Sequence, residues 1–150
     1  MVSSTIFLDI EQGKMGQCYE LASIIDAIPW NKDGLITAIA QDIQSKDVLM
    51  LAWINRDALL ETLNTRQVCY WSRSRQRLWR KGESSGHRQK LIEARLDCDG
   101  DSILFLVEQT GPACHTDRPN CFYLGLNTQH ATILTQPIIE PIYTTLKTLP

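Results

Sequence analysis

The stretch Leu91-Ile92-Glu93-Ala94-Arg95-Leu96-Asp97-Cys98-Asp99-Gly100-Asp101 decides how this chain folds. Apolar and polar residues alternate along it, with Ile92, Ala94 and Leu96 on one face and Glu93, Arg95 and Asp97 on the other, the period of a half-buried β-strand. Carried to its end, the alternation puts Cys98 on the apolar face and Asp97 with Asp99 on the polar one. Their Cα atoms then stand roughly 6.5 to 7 Å apart at about 3.3 Å of rise per residue, and carboxylates so placed can share a hard cation. Gly100 permits backbone angles that other residues avoid, so Asp101 can turn in to join the pair. A thiol on the opposite face suits a softer ion such as zinc. One strand end is therefore expected to serve two metals.

Beyond this stretch, Ile103 to Val107 is an unbroken apolar run that reads as a buried strand. Cys114-His115-Thr116-Asp117-Arg118-Pro119-Asn120-Cys121 follows. Cys98, Cys114 and Cys121 can give zinc three sulfur ligands and leave a fourth position for water, as in a catalytic site. Fifteen residues separate the first two and six the last two, a spacing that matches neither zinc fingers nor zinc ribbons. His115 stands beside Cys114 as a general base, an orienting partner or a fourth ligand. A calcium loop counted from Asp97 finds Glu108 at its twelfth place. It is rejected because Ser102 occupies the sixth, where glycine is needed, and because a buried strand follows. The plainer alternative is a set of solvated turn carboxylates and core thiols.

The 150 residues, 43% of them hydrophobic, suffice for one domain with a core. A formal charge of −2 and a pI near 5.9 give no global reason to expect nucleic acid or an anionic membrane as partner. No run approaches the roughly 20 apolar residues of a membrane span, and Met1 to Glu11 lacks the basic start and apolar centre of a secretory signal. A cytoplasmic location is expected. Five cysteines, an odd number, suggest reduced thiols rather than a disulfide framework, with Cys18 and Cys69 read as core thiols.

In chain order, residues 1–16 read as an irregular lead-in. Cys18, Leu21, Ala22 and Ile25 follow helical spacing up to Pro29. Leu35 to Asp42 and Val48 to Ile54 read as a hairpin around Ser45-Lys46-Asp47. Asn55 is placed to cap a helix with Asp57 in its first turn, a stripe of Leu59, Leu60 and Leu63, and an end near Asn64. Val68 to Ser72 and Phe122 to Leu126 read as strands. The tail carries isolated apolar runs, among them Ile133 with Leu134 and Ile138 to Tyr143, which are expected to dock on the domain. The class is β-rich with a few short helices, α+β.

From Arg73 to Lys90 there are seven of the fifteen Lys and Arg residues and one acid, Glu83. With Trp71 and Trp79 interleaved, this island reads as a solvated hairpin, a single-stranded nucleic acid grip or an anion pocket. Gly82-Glu83-Ser84-Ser85-Gly86 favours the pocket, since small residues expose backbone N–H groups and hydroxyls that hold a phosphate beside Lys81 and Arg88. A phosphorylated small molecule attacked by metal-activated water is the expected reaction class.

Ala40-Gln41-Asp42, Val48 to Asn55, Tyr70-Trp71-Ser72-Arg73-Ser74-Arg75, Leu78 to Gly86, Asp97 to Asp101 and Ala113-Cys114-His115-Thr116 together carry a resemblance. From about Asp33 to Leu126 the chain resembles the phosphoribosyl-AMP cyclohydrolases of histidine biosynthesis. The resemblance implies a lead-in with a short helix over 1–32, a core over 33–126 and a tail over 127–150. It implies a homodimer of intertwined antiparallel sheets in which Cys98 from one subunit joins Cys114 and Cys121 of the other on zinc. Magnesium on Asp97, Asp99 and Asp101 is implied too. His115 is then the expected proton carrier, and Arg73, Arg75, Lys81, Ser84 and Ser85 the expected phosphate binders.

The sequence departs from the family's usual pattern at Asp117, where glycine is usual, and at Asn120, where serine is. The tail is short for the pyrophosphohydrolase domain that follows in many members, so a single step is expected. A zinc-dependent nucleobase deaminase fits less well, for want of its His-x-Glu and Pro-Cys-x-x-Cys pairing. A zinc-stabilised module gripping RNA is the alternative from another class.

Overall fold

A computed structural model describes residues 5–138. Two short helices, α1 (Thr5–Ile10) and α2 (Leu21–Ala27), lead into strands β1 (Ile36–Asp42) and β2 (Val48–Ile54). Helix α3 (Arg56–Thr65) connects them to a second hairpin, β3 (Cys69–Ser72) and β4 (Arg77–Arg80), and then a third, β5 (Gln89–Leu96) and β6 (Ser102–Gln109). These six strands form one sheet in the order β4-β3-β2-β1-β6-β5. A small antiparallel pair, β7 (Leu124–Leu126) and β8 (Ala131–Ile133), stands apart from it. The β-rich class with short helices is as expected. Within the large sheet the β1–β6 pair is parallel, and all other pairs are antiparallel.

Local chemistry accounts for the joints. In the β1–β2 turn the Asp42 carboxylate accepts from the Gln44 and Ser45 N–H groups at 3.0 and 2.8 Å, and Lys46 takes the left-handed conformation. Asn55 caps α3 by accepting from the Ala58 N–H at 2.8 Å. Arg66, at φ 62°, stops the helix. Buried Thr62 then ties α3 to β3, since its hydroxyl accepts from the Cys69 N–H at 2.9 Å and donates to the Cys69 carbonyl at 3.2 Å.

The core lies between the sheet and the helices, with Ala38, Ala40, Ile54, Val68, Tyr70, Phe105 and Val107 almost wholly buried. Ala38 and Ala40 on the central strand leave room for the larger Phe105 and Val107. Tyr70 brings a hydroxyl into this core and donates it to Gln89 at 2.6 Å, satisfying a group that would otherwise be costly to bury.

Several expectations need correction. The lead-in is not irregular throughout: α1 forms, and Phe7 is buried in the core. Isolated apolar residues in a short segment carry no readable period, which hides such docking from the sequence. Cys18 is exposed, because α2 begins only at Leu21; Cys69 is the core thiol expected. Ile92 is exposed as well, since the pairing of β5 slips between Leu91 and Glu93. A bulge there reverses the faces, so Leu91 points inward before Ala94 and Leu96 do. The last expected strand shrinks to Leu124–Leu126, and β8 forms in the tail. Of Ile138 to Tyr143 only Ile138 lies within the described residues, and it is half exposed. No helix among the described residues is long and apolar enough to cross a membrane.

Candidate active site

The β4–β5 connection and the loop after β6 meet at one end of the sheet. Thr110 N–H donates to the Arg88 carbonyl at 2.9 Å, and the Lys81 ammonium donates to the Ala113 carbonyl at 2.5 Å. Between them opens a cleft of about 920 Å³. Its lining brings Arg75, Lys81, Ser84 and Ser85 of the basic island together with Cys114 and His115. These groups come from opposite sides of the fold, and no sequence period predicts their meeting. Arg73 does not line the cleft. Its guanidinium stacks over the Trp53 ring at 4.8 Å, a cation–π contact.

The Cys114 loop closes on itself. Cys114 N–H donates to the Arg118 carbonyl at 3.2 Å, Asp117 N–H to the Cys114 carbonyl at 3.0 Å, and Ala113 N–H to the Pro119 carbonyl at 3.3 Å. Asp117 sits at φ 61°, a left-handed position that suits the glycine usual there and that aspartate tolerates better than most residues. Asn120 accepts from the Phe122 N–H at 2.8 Å, a turn that a serine hydroxyl also makes. Both residues thus fit the loop as it stands in this chain. Cys121 N–H donates to the Leu49 carbonyl at 2.8 Å, which pins the loop's far end to β2.

Cys114 and Cys121 are thereby neighbours. Burial opposes ionisation of Cys114, but hydrogen bonds from Thr116, with Cys121 and Lys81 nearby, outweigh it and hold the thiol below its ordinary range. The Thr116 hydroxyl lies 3.1 Å from its sulfur. Cys121 is pushed up to about 11, first by burial of its sulfur and then by Cys114. The pair can therefore present one thiolate readily, and a thiophilic cation suits it. Cys98 is exposed and joins no such group: among the described residues, the acidic turn is the one cluster of three metal-type side chains.

In that turn Asp97, Asp99 and Asp101 bring carboxylate oxygens within 4.8 Å of one another, all three residues exposed. Hydrogen bonding to Asp97, then to Asp99, pushes the Asp101 carboxyl up to about 6. The bond from Asp101 in turn holds Asp99 below its usual value. The crowding favours a shared proton or a shared cation. Gly100, at φ 79°, is the buried point of this exposed turn. A Cβ there would stand 2.4 Å from the Phe7 ring, so the turn rests on the N-terminal helix and only glycine fits.

His87 was not among the expected site residues, yet it lines the cleft, and its ring lies flush on Gly111, where a Cβ would approach to 2.6 Å. Asp117, weighed in the sequence as a solvent-facing loop residue or a carboxylate near the site, lines it too. The His87 signal was its position directly after the glycine-serine loop.

The family model for phosphoribosyl-AMP cyclohydrolase matches residues 50–123, which include the cleft, the acidic turn and Cys98, Cys114 and Cys121. The chain is 61% identical to phosphoribosyl-AMP cyclohydrolase 2 of Pseudomonas fluorescens over 131 residues, 87% of this chain and 89% of that protein. It is 54% identical to the phosphoribosyl-AMP cyclohydrolase of Alkalilimnicola ehrlichii over 91% of this chain and 96% of the relative. With that of Hydrogenovibrio crunogenus the figures are 52%, 94% and 96%. Identity of this depth across the folded region leaves one assignment: the chain belongs to the phosphoribosyl-AMP cyclohydrolase family.

Proposed function

We propose that this protein hydrolyses the N1–C6 bond of the adenine ring in phosphoribosyl-AMP, giving the ring-opened formimino carboxamide ribonucleotide of histidine biosynthesis. The observation that carries this reading is the cleft in which anion-binding side chains of the basic island face Cys114 and His115. Arg75, Ser84 and Ser85 bind phosphate oxygens there, the arginine through a planar fork and the serines as hydroxyl donors. Arg73, outside the cleft lining, completes the positive field around the entrance.

The N1-ribosylated ring is electron-poor, so C6 accepts a water oxygen. Cys114 and Cys121, with a Cys98 from a second copy, would hold zinc, which would supply a water whose pKa is lowered from about 15.7 toward about 7. His115 takes a proton from the attacking oxygen and returns it to N1 as the N1–C6 bond breaks, and the oxygen's second proton passes to solvent as the carboxamide C=O forms. Its exposed position at the cleft wall gives it access to both atoms. Asp97, Asp99 and Asp101 would hold magnesium, which would supply positive charge to neutralise or position a phosphate or to polarise the base.

Pairing of two chains is part of the proposal. Among the described residues Cys98 joins no cluster with Cys114 and Cys121, which supports the family resemblance's implication that a second copy supplies the third sulfur. Phe122, Leu124, Leu126, Ile133 and Leu134 offer an apolar face around the small sheet, each more than half exposed, of the kind that marks an interface. The direct test is a spectrophotometric assay of the purified protein with phosphoribosyl-AMP, with and without zinc and magnesium. Metal-dependent formation of the ring-opened product is expected; a folded, zinc-loaded protein that leaves the substrate intact refutes the reading.

A further inference from the structure

Lys81 belongs to the basic island by sequence, yet its ammonium reaches into the thiol loop. Its backbone is fixed where β4 ends, with the Lys81 N–H donating to the buried Val68 carbonyl at 3.1 Å. Its stem passes the Trp79 ring, the ammonium standing 5.2 Å from the ring centroid. The ammonium then donates to the Ala113 carbonyl at 2.5 Å, one residue before Cys114. It is close enough to both Cys114 and Cys121 for each sulfur to act on it electrostatically. A partly buried lysine loses solvation, and here the two sulfurs offset that loss only in part.

We propose that Lys81 is a positioning residue of the zinc loop, holding Cys114 and Cys121 in ligand geometry and offsetting the charge of their thiolates, rather than a phosphate ligand. The inference rests on the zinc reading above. Three thiolates around a dication leave a net negative charge, and a fixed ammonium beside them stabilises that assembly. The carbonyl bond also fixes the backbone that carries Cys114. Outer partners of this kind are worth about 10- to 100-fold in metal affinity or activity.

The test compares the full-length wild type with Lys81→Met and Lys81→Arg. Zinc affinity is measured by chelator competition, KM and kcat with phosphoribosyl-AMP at saturating zinc, and melting temperature without metal. The expected result is zinc affinity about 10- to 100-fold weaker in Lys81→Met, KM within about threefold of wild type, and partial recovery of affinity in Lys81→Arg. A KM raised tenfold or more with unchanged zinc affinity overturns the proposal and makes Lys81 a phosphate ligand. Equal zinc loss in both variants with a collapsed metal-free melting transition also overturns it, in favour of a packing role. If the wild type itself binds no zinc, the zinc reading fails first, and that is visible before any variant is compared.

Discussion

At the acidic turn three carboxylates meet within Asp97 to Asp101, brought together by a hairpin turn and one glycine. At the thiol loop Cys114 and Cys121 meet because the chain folds back through Cys114, Arg118 and Pro119, and because β2 fixes Cys121. The first site faces solvent and its carboxylates form no ion pair among the described residues; the second lies against a cleft and has the Lys81 ammonium beside it. Hard oxygen ligands on an exposed turn suit a hydrated magnesium ion, which keeps several waters. Partly buried thiols beside a positive charge suit a tightly held, softer ion. In the proposed reaction the acidic turn would supply positive charge through its cation, and the thiol loop would supply water activation.

The comparison breaks most sharply at the thiol loop. Cys114→Ser is expected to remove zinc binding and with it all measurable turnover, checked by metal analysis beside the ring-opening assay. If the variant retains full zinc content and activity, the loop is not the metal centre.

Phe7→Ala tests whether the acidic turn has its own support. Removing a buried ring that touches Gly100 should lower stability by about 3 kcal/mol, at the low end for a core phenylalanine, as read by urea unfolding. Hydrogen exchange should rise at Asp97 to Asp101 and stay unchanged at Cys114. Uniform acceleration across both regions would mean that Phe7 supports the whole core and not the turn.

Asp99→Asn should leave zinc content intact while lowering turnover by about 10- to 100-fold, the range seen when metal-site partners are lost. A magnesium titration should show weaker dependence on the ion. Equal zinc loss in this variant and in Cys114→Ser would dissolve the separation between the sites. The smallest effect is expected at Asp117→Gly. Relief of the left-handed backbone should change stability by less than about 1 kcal/mol, in the stabilising direction, measured as a shift in the unfolding midpoint. A large loss would show that the Asp117 carboxylate is needed at the cleft.

Elements whose signals are local were legible in the sequence. The β1–β2 hairpin, the Asn55 cap and the buried β6 run follow from turn residues, a capping side chain and an unbroken apolar stretch. The acidic triad was equally legible, because its members sit two residues apart around a glycine. The exposed Ile92 was not, since a bulge shifts the strand's faces without any compositional mark. Nor was the docking of α1, whose one anchoring phenylalanine shows no period.

The sequence by itself determined the β-rich class, the cluster of three carboxylates, the basic glycine-serine loop and the set of thiols available to a metal. Only the tertiary structure decided which of these meet. It paired Cys114 with Cys121, left Cys98 apart, turned Lys81 toward Ala113 and laid Phe7 under Gly100. The physical reason is range. Caps, turns and alternation are settled by neighbours a few residues away, whereas the cleft depends on sheet order and loop closure across more than thirty residues of chain, where no local pattern carries the information.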